Sequence, residues 1–305
     1  MRRGSSGRRR ACGSGSDVPE GDTIAKAADA LNRALAGRRI TRTDFRVPAL
    51  ATADLAGQAI TAVVARGKHL LMRTDAGLTI HTHLKMEGAW ELEPPGRRVA
   101  DPRDEVRLVV ETDAATAVGT QLGIVELLET KSEGRVLGHL GPDLLGPDWD
   151  AAEALRRLAA RPDRPIGEAL LDQTVMAGIG NIFKCEICFL RGVEPATAVG
   201  ELRDLEAVVG LARRLLLANR ATGNQVTTGD PRRGRSHWVY GRGGEPCRRC
   251  GERIQRRIDG RAGEAGERVT YWCPSCQPGA GVSPRTGTSP RSRSGTATRS
   301  PRPTR

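Results

Sequence analysis

The sequence predicts an α+β protein: an N-terminal helix packed on an antiparallel β-sandwich, then a helical domain, then a short cysteine-bearing β-hairpin. Three observations carry this expectation. Apolar residues recur at helical spacing from Ile24 to Leu35, the pattern shortens to period two between Ile40 and Thr130, and helical spacing returns from Ala151 to about Leu217. Beyond that lie two Cys-x2-Cys pairs separated by 22 residues. At 305 residues, 38% hydrophobic and 28% charged, the chain is long enough for two or three domains and too apolar for wholesale disorder.

The elements follow in order. Residues 1–18 are rich in Arg, Gly and Ser without an apolar run, so they read as a disordered or untranslated extension and not as a secretory leader. From Pro19 the pattern becomes regular. Proline and the acids Glu20 and Asp22 suit a helix start, where negative charge meets the positive end of the dipole. Ile24, Ala27, Ala28, Leu31, Ala34 and Leu35 form one face, and Gly37 ends it. A hairpin follows: Leu70 and Met72 alternate with His69, Leu71 and Arg73; after the turn 74–77, Leu78, Ile80, Thr82 and Leu84 alternate with Thr79, His81, His83 and Lys85. Val106–Thr112 and Ile124–Leu128 are further strands.

Gly-Pro-Asp repeats around 141–148 punctuate a boundary, giving a first domain over 19–150. Helices are expected at Ala152–Ala160, Pro165–Gln173, Asn181–Leu190 and Leu202–Asn219 in a domain spanning 151–240. The cysteine module occupies 241–277, and 278–305 reads as a disordered basic tail.

Charge narrows the partner class. The chain carries +12, but residues 1–17 supply +4 and residues 277–305 supply +6, leaving +2 for 18–276. A polyanionic partner is expected, held by local clusters of cations and not by the overall field. Aromatics at 3% disfavour an RNA reader built on stacked rings. No run approaches the ~18 apolar residues of a membrane span. Seven cysteines without a leader argue for metal binding or reduced thiols.

The cysteine pairs Cys247/Cys250 and Cys273/Cys276 give four thiolates suited to one tetrahedral Zn2+; four sulfurs leave no open position, so the zinc is structural. Arginines lie near the tip of the hairpin between them. Cys185 and Cys188, at i and i+3 of an apolar helix, read instead as buried core thiols. Gly178-Ile179-Gly180-Asn181 reads either as an ordinary helix–helix connection or as an anion pocket, in which the free N–H groups opening the second helix would suit a phosphate. Lys68, His83 and Lys85 form a basic ridge. His81 and His83 share a strand face, but with no third ligand near them they read as neutral or solvated histidines. Met86 lies beside a turn, as a core residue or an apolar probe.

These residues together resemble the formamidopyrimidine-DNA glycosylase/endonuclease VIII repair enzymes, closest to an actinobacterial endonuclease VIII-type subgroup. The resemblance runs from Pro19 to Gln277 and rests on Pro19-Glu20-Gly21-Asp22-Thr23, Gly67-Lys68, His83-Leu84-Lys85-Met86, the helix-two-turn-helix from Asp172 to Asn181, and the hairpin ending Arg268…Trp272-Cys273-Pro274-Ser275-Cys276. It implies base excision followed by β,δ-elimination at the abasic site, with oxidised pyrimidines and abasic sites as substrates. By the resemblance, Pro19 attacks C1′ through a secondary amine, Glu20 moves protons, and Lys68 holds the phosphate beside the lesion. Asn181, Arg268 and His83 hold flanking phosphates, and Met86 fills the gap left in the stack. The implied partner is damaged double-stranded DNA, bound by a monomer in the bacterial cytoplasm at the nucleoid.

Several features depart from the family pattern. Thr120 and Leu122 stand where the family carries Arg and Phe wedges, Thr23 stands where many relatives carry Glu, and the hairpin is longer through Asp259–Glu267. Eighteen residues precede Pro19, and a proline within an amide is no nucleophile. Translation starting at Val18 through a GTG codon, with the initiator Met removed, is expected to free it. The alternatives are a non-catalytic damaged-DNA-binding protein with Pro19 blocked, and a zinc-ribbon accessory factor.

Overall fold

A computed structural model of the chain describes residues 19–97, 105–222, 224–259 and 268–279. Residues 1–18, 98–104, 260–267 and those beyond 279 lie outside the described residues, as does Gly223, so the expectations for the extension, for the longer segment through Glu267 and for the tail fall there.

Helix α1, Gly21–Leu35, buries Ile24, Ala27, Ala28, Leu31 and Leu35, the positions three and four apart that make one stripe. The stripe packs on β2 (Ile60–Arg66), and Asn32 Oδ1 accepts the Val63 N–H at 2.8 Å, fixing the helix along that strand. Strands β2, β3 (His69–Thr74), β4 (Leu78–His83) and β8 (Ile124–Glu129) form one antiparallel sheet in that order. A second antiparallel sheet runs β1 (Ile40–Phe45), β6 (Val106–Thr112), β7 (Thr116–Thr120), β5 (Ala89–Glu93). Leu70, Met72 and Ile80 from one sheet meet Trp90, Leu108 and Val110 from the other, and the Trp90 indole N–H reaches Thr82 Oγ1 at 3.3 Å.

Alternation is imperfect in β3 because its second face is covered too. Leu71 is buried there against Leu137, Leu140 and Ala177, where α2 (Glu133–Leu137) and the residues after it close over the sheet.

The helical half contains α3 (Ala151–Ala159), α4 (Ile166–Leu171), α5 (Asn181–Arg191) and α6 (Leu205–Arg220) around Leu158, Leu170, Ile179, Phe183, Ile187 and Leu216. Helix α6 begins three residues later than its apolar pattern, because the Asp204 side chain caps it by accepting the Ala207 N–H at 2.8 Å. Helix α4 stops at Leu171, since Asp172 turns the chain by accepting the Thr174 N–H at 2.9 Å. The Gly141-Pro142-Asp143 stretch joins the halves as well as separating them. Leu144 packs in the helical core, while the Asp143 carboxylate accepts the Gly67 N–H at 2.7 Å.

The hairpin β9 (Gln255–Asp259) and β10 (Arg268–Trp272) lies on α5. Cys185 and Cys188 are buried, as expected of core thiols, and Cys185 Sγ accepts the Tyr271 N–H at 3.5 Å. Among the described residues no helix is long and apolar enough to cross a membrane.

Candidate active site

The site forms where the N-terminus of α1, the β2–β3 turn, the start of α5 and the start of β10 meet. Glu20 is fully buried at the N-cap of α1. Its carboxylate reaches across 160 residues of sequence to the first turn of α5, accepting the N–H groups of Gly180 at 2.7 Å, Ile182 at 2.6 Å and Phe183 at 3.4 Å. This corrects one expectation. The anion pocket at the glycine loop exists, but the protein's own carboxylate fills it, leaving those N–H groups unavailable to a phosphate.

The approach is close enough to dictate glycine twice. A Cβ on Gly180 would lie 2.4 Å from Glu20 Cδ, and one on Gly21 would lie 2.8 Å from Gly178 Cα, where the Gly21 N–H donates to the Gly178 carbonyl at 2.8 Å. Gly180→Ala is therefore expected to cost about 1–3 kcal/mol in stability through overpacking and to displace the Glu20 carboxyl. A thermal melt and a base-excision rate check this, with both expected to fall.

Burial pushes the Glu20 carboxyl up to about 7; Lys68 acts against that rise and Asp22 adds to it. Lys68 follows Gly67 in the β2–β3 turn, and its ammonium is lowered by burial, with Glu20 opposing the shift and Arg268 reinforcing it. Glu20, Lys68 and Arg268 therefore form one electrostatic group assembled from three separate parts of the chain. Pro19 is buried immediately before Glu20. A carboxyl that is half-protonated near neutrality, beside a cation, can donate and recover a proton.

Asn181 opens α5 and donates from Nδ2 to the Val269 carbonyl at 2.9 Å, tying the hairpin strand that carries Arg268 to the glycine loop. Lys184 Nζ donates to Thr270 Oγ1 in the same seam. The Glu186 carboxylate accepts the N–H groups of Trp238, Val239 and Tyr240 at 2.8, 2.9 and 2.8 Å, fixing the approach to the cysteine module. Sequence reasoning passed over Glu186 and Asp143. Both are acids facing backbone N–H groups distant in sequence, a pairing that leaves no local signal.

His83 is half-buried, and Nδ1 accepts the Lys85 N–H at 2.9 Å. Met86 stands 55% exposed in the turn between β4 and β5. Leu122, which stands where the family carries a wedge, is 2% exposed in the sandwich core, leaving Gln121 exposed at φ 48°. Of the two readings of His81, burial removes the solvated one: it is 1% exposed and has a histidine neighbour, His69, brought over by the β3–β4 register.

The sulfurs of Cys247, Cys250, Cys273 and Cys276 lie within 4.8 Å of one another, with Cys247–Cys276 at 3.9 Å and Cys250–Cys273 at 3.4 Å. Tetrahedral zinc with ~2.3 Å bonds needs sulfur edges of roughly 3.8 Å, so the four fit one metal ion.

Residues 18–123 match the formamidopyrimidine-DNA glycosylase N-terminal domain, and residues 140–225 match the H2TH domain of the same enzymes. The chain is 50% identical over 260 residues to the DNA-(apurinic or apyrimidinic site) lyase Nei2 of Mycolicibacterium smegmatis, covering 85% of this chain and 99% of that protein. It is 46% identical over 264 residues to endonuclease 8 2 of Mycobacterium bovis, covering 85% and 100%. Among solved structures it is similar to the Lactococcus lactis formamidopyrimidine-DNA glycosylase bound to DNA containing an AP site, with a TM-score of 0.70, 23% identity, and 85% and 99% of the two chains covered. That last likeness speaks for the fold.

Proposed function

The chain belongs to the formamidopyrimidine-DNA glycosylase/endonuclease VIII family, and from that membership we propose that it removes damaged bases from duplex DNA and cleaves the strand at the abasic site left behind. The observation that carries the reading is Glu20: a fully buried carboxyl with a pKa of about 7, adjacent to Pro19 in sequence and coupled to Lys68 and Arg268. In this reading Pro19, as a free secondary amine, attacks C1′ as the base leaves, and an iminium forms between the proline nitrogen and the sugar. Glu20 protonates the opening sugar ring and later relays protons during elimination. Lys68 holds the phosphate at the lesion, while Arg268, Asn181 and His83 hold flanking backbone and Met86 occupies the vacated stack. Zinc on Cys247, Cys250, Cys273 and Cys276 would supply no chemistry to the reaction; it would cross-link the strand ends behind Arg268. Oxidised pyrimidines and abasic sites are the proposed substrates, acted on by a monomer in the bacterial cytoplasm.

A duplex carrying one abasic site tests the activity. The expected result is incision leaving phosphate on both sides of a one-nucleoside gap, the outcome of β,δ-elimination; an unbroken strand contradicts it. A second reading rests on the eighteen residues before Pro19. While they remain attached the proline nitrogen is an amide, and the protein would bind abasic DNA without cleaving it.

A further inference from the structure

Four of the chain's five histidines gather beside Lys68, and only His83 has been given a role above. The register of β3, β4 and β8 sets His69 opposite His83 and His81 opposite Glu126, so the four side chains share one face of the sheet. Glu126 Oε2 lies 2.9 Å from His81 Nδ1, and His81 Nε2 lies 2.8 Å from His69 Nδ1. The His69 ring meets the His83 ring edge-on at 4.9 Å.

These contacts suit one arrangement of protons, in which His81 donates from Nδ1 to the Glu126 carboxylate and accepts at Nε2 from His69 Nδ1–H. In that arrangement His69 Nε2 is a bare acceptor on a half-buried ring. His83 Nδ1 is taken by the Lys85 N–H, so the proton of His83 sits on Nε2.

Lys68 from the β2–β3 turn, Lys85 from the β4–β5 turn and His139 after α2 act on the cluster from its cationic side. On the acidic side stand Glu126 from β8 and Glu133 from α2, the latter already held by Arg73 at 2.7 Å. Burial first, then the surrounding cations and histidines, holds His69 down at about 4 and His83 at about 3, so both are neutral in the DNA-free protein at neutral pH.

We propose that His69 and His83 form a proton-coupled clamp for a DNA-backbone phosphate, in which docking is accompanied by uptake of one proton at His69 Nε2 and the Glu126–His81 pair supports the resulting charge. A phosphate beside the ring adds a negative charge that favours protonated His69, acting against the burial and the surrounding cations that hold it neutral. A solvent proton bonds to the Nε2 lone pair, no other bond changes, and His69 Nδ1–H stays on His81, whose own proton faces the Glu126 carboxylate. The phosphate then meets Nε2–H donors from two rings together with the two lysines. The clamp rests on the reading of the protein as a DNA-backbone binder.

The test uses a duplex carrying a tetrahydrofuran abasic analogue, which cannot be cleaved through C1′. Binding is measured by calorimetry in two buffers of different ionisation enthalpy and by anisotropy from pH 6 to 8. The wild-type protein is expected to take up about one proton more than His69→Gln. Its affinity should therefore gain up to about tenfold more for each unit that pH falls. Glu126→Gln changes a half-exposed residue and keeps an acceptor for His81, and it is expected to lose most of the same uptake. Glu20 is common to all three proteins, so its titration cancels in the differences. Equal uptake by all three overturns the clamp while leaving DNA binding intact. Failure of the wild-type protein to bind the duplex overturns the DNA reading and the clamp with it.

Discussion

Glu20→Gln is expected to lower base excision by about 10²–10⁴-fold while leaving binding to an uncleavable abasic duplex within a few-fold of wild type. The two N–H groups use different oxygens of the carboxylate, so the amide keeps an acceptor for Gly180 or for Ile182 but not for both; the cost is one hydrogen bond at an otherwise unchanged shape, and the side chain cannot deliver a proton. The pH profile sharpens the test. Burial raises the Glu20 carboxyl to about 7, so the protonated form that acts as an acid is present below that pH and lost above it. Wild-type base excision should therefore fall as pH rises through about 7, and the residual activity of the variant should lack that limb. Single-turnover excision measured across pH distinguishes the outcomes. Undiminished excision by the variant would move the acid elsewhere, with Asp22 the first candidate.

Cys273→Ser is expected to release the metal and weaken DNA binding at least about tenfold, equivalent to about 1.4 kcal/mol. Cys273 directly follows β10, whose first residue is Arg268. With three sulfurs left, the hairpin loses the cross-link that keeps Val269 on Asn181, Thr270 on Lys184 and Tyr271 on Cys185. Catalysis itself passes through none of these cysteines, so activity should persist at high protein concentration. Metal analysis and a binding isotherm on the same sample check the claim; full affinity with no bound metal would contradict it.

Much of this architecture is legible in the sequence because the signals are local. The stripe from Ile24 to Leu35 and the alternation through Val106–Thr112 each follow from a period, and α5 begins at Asn181 because two glycines and a polar residue interrupt the apolar pattern before it. The cysteine cluster is legible from spacing alone. What sequence reasoning missed depends on contacts between distant segments. The glycine loop reads as a pocket for a foreign anion, since nothing near position 180 announces that Glu20 fills it. What fills the turn where the family carries its wedges is not legible either, because exposure there depends on which of two adjacent residues the backbone turns inward; a positive φ at Gln121 sends Leu122 to the core. His69 passes unnoticed until strand register sets it opposite His83.

The central claim is that the N-terminal nitrogen of Pro19 forms the covalent bond to DNA, and borohydride trapping tests it most directly. A protein whose first residue is Pro19 is incubated with an abasic duplex and sodium borohydride, and the adduct is located by peptide mapping. The account predicts a stable one-to-one adduct on Pro19, and none from protein that keeps residues 1–18 attached. Efficient trapping by the extended protein, with the adduct on Lys68, would contradict it.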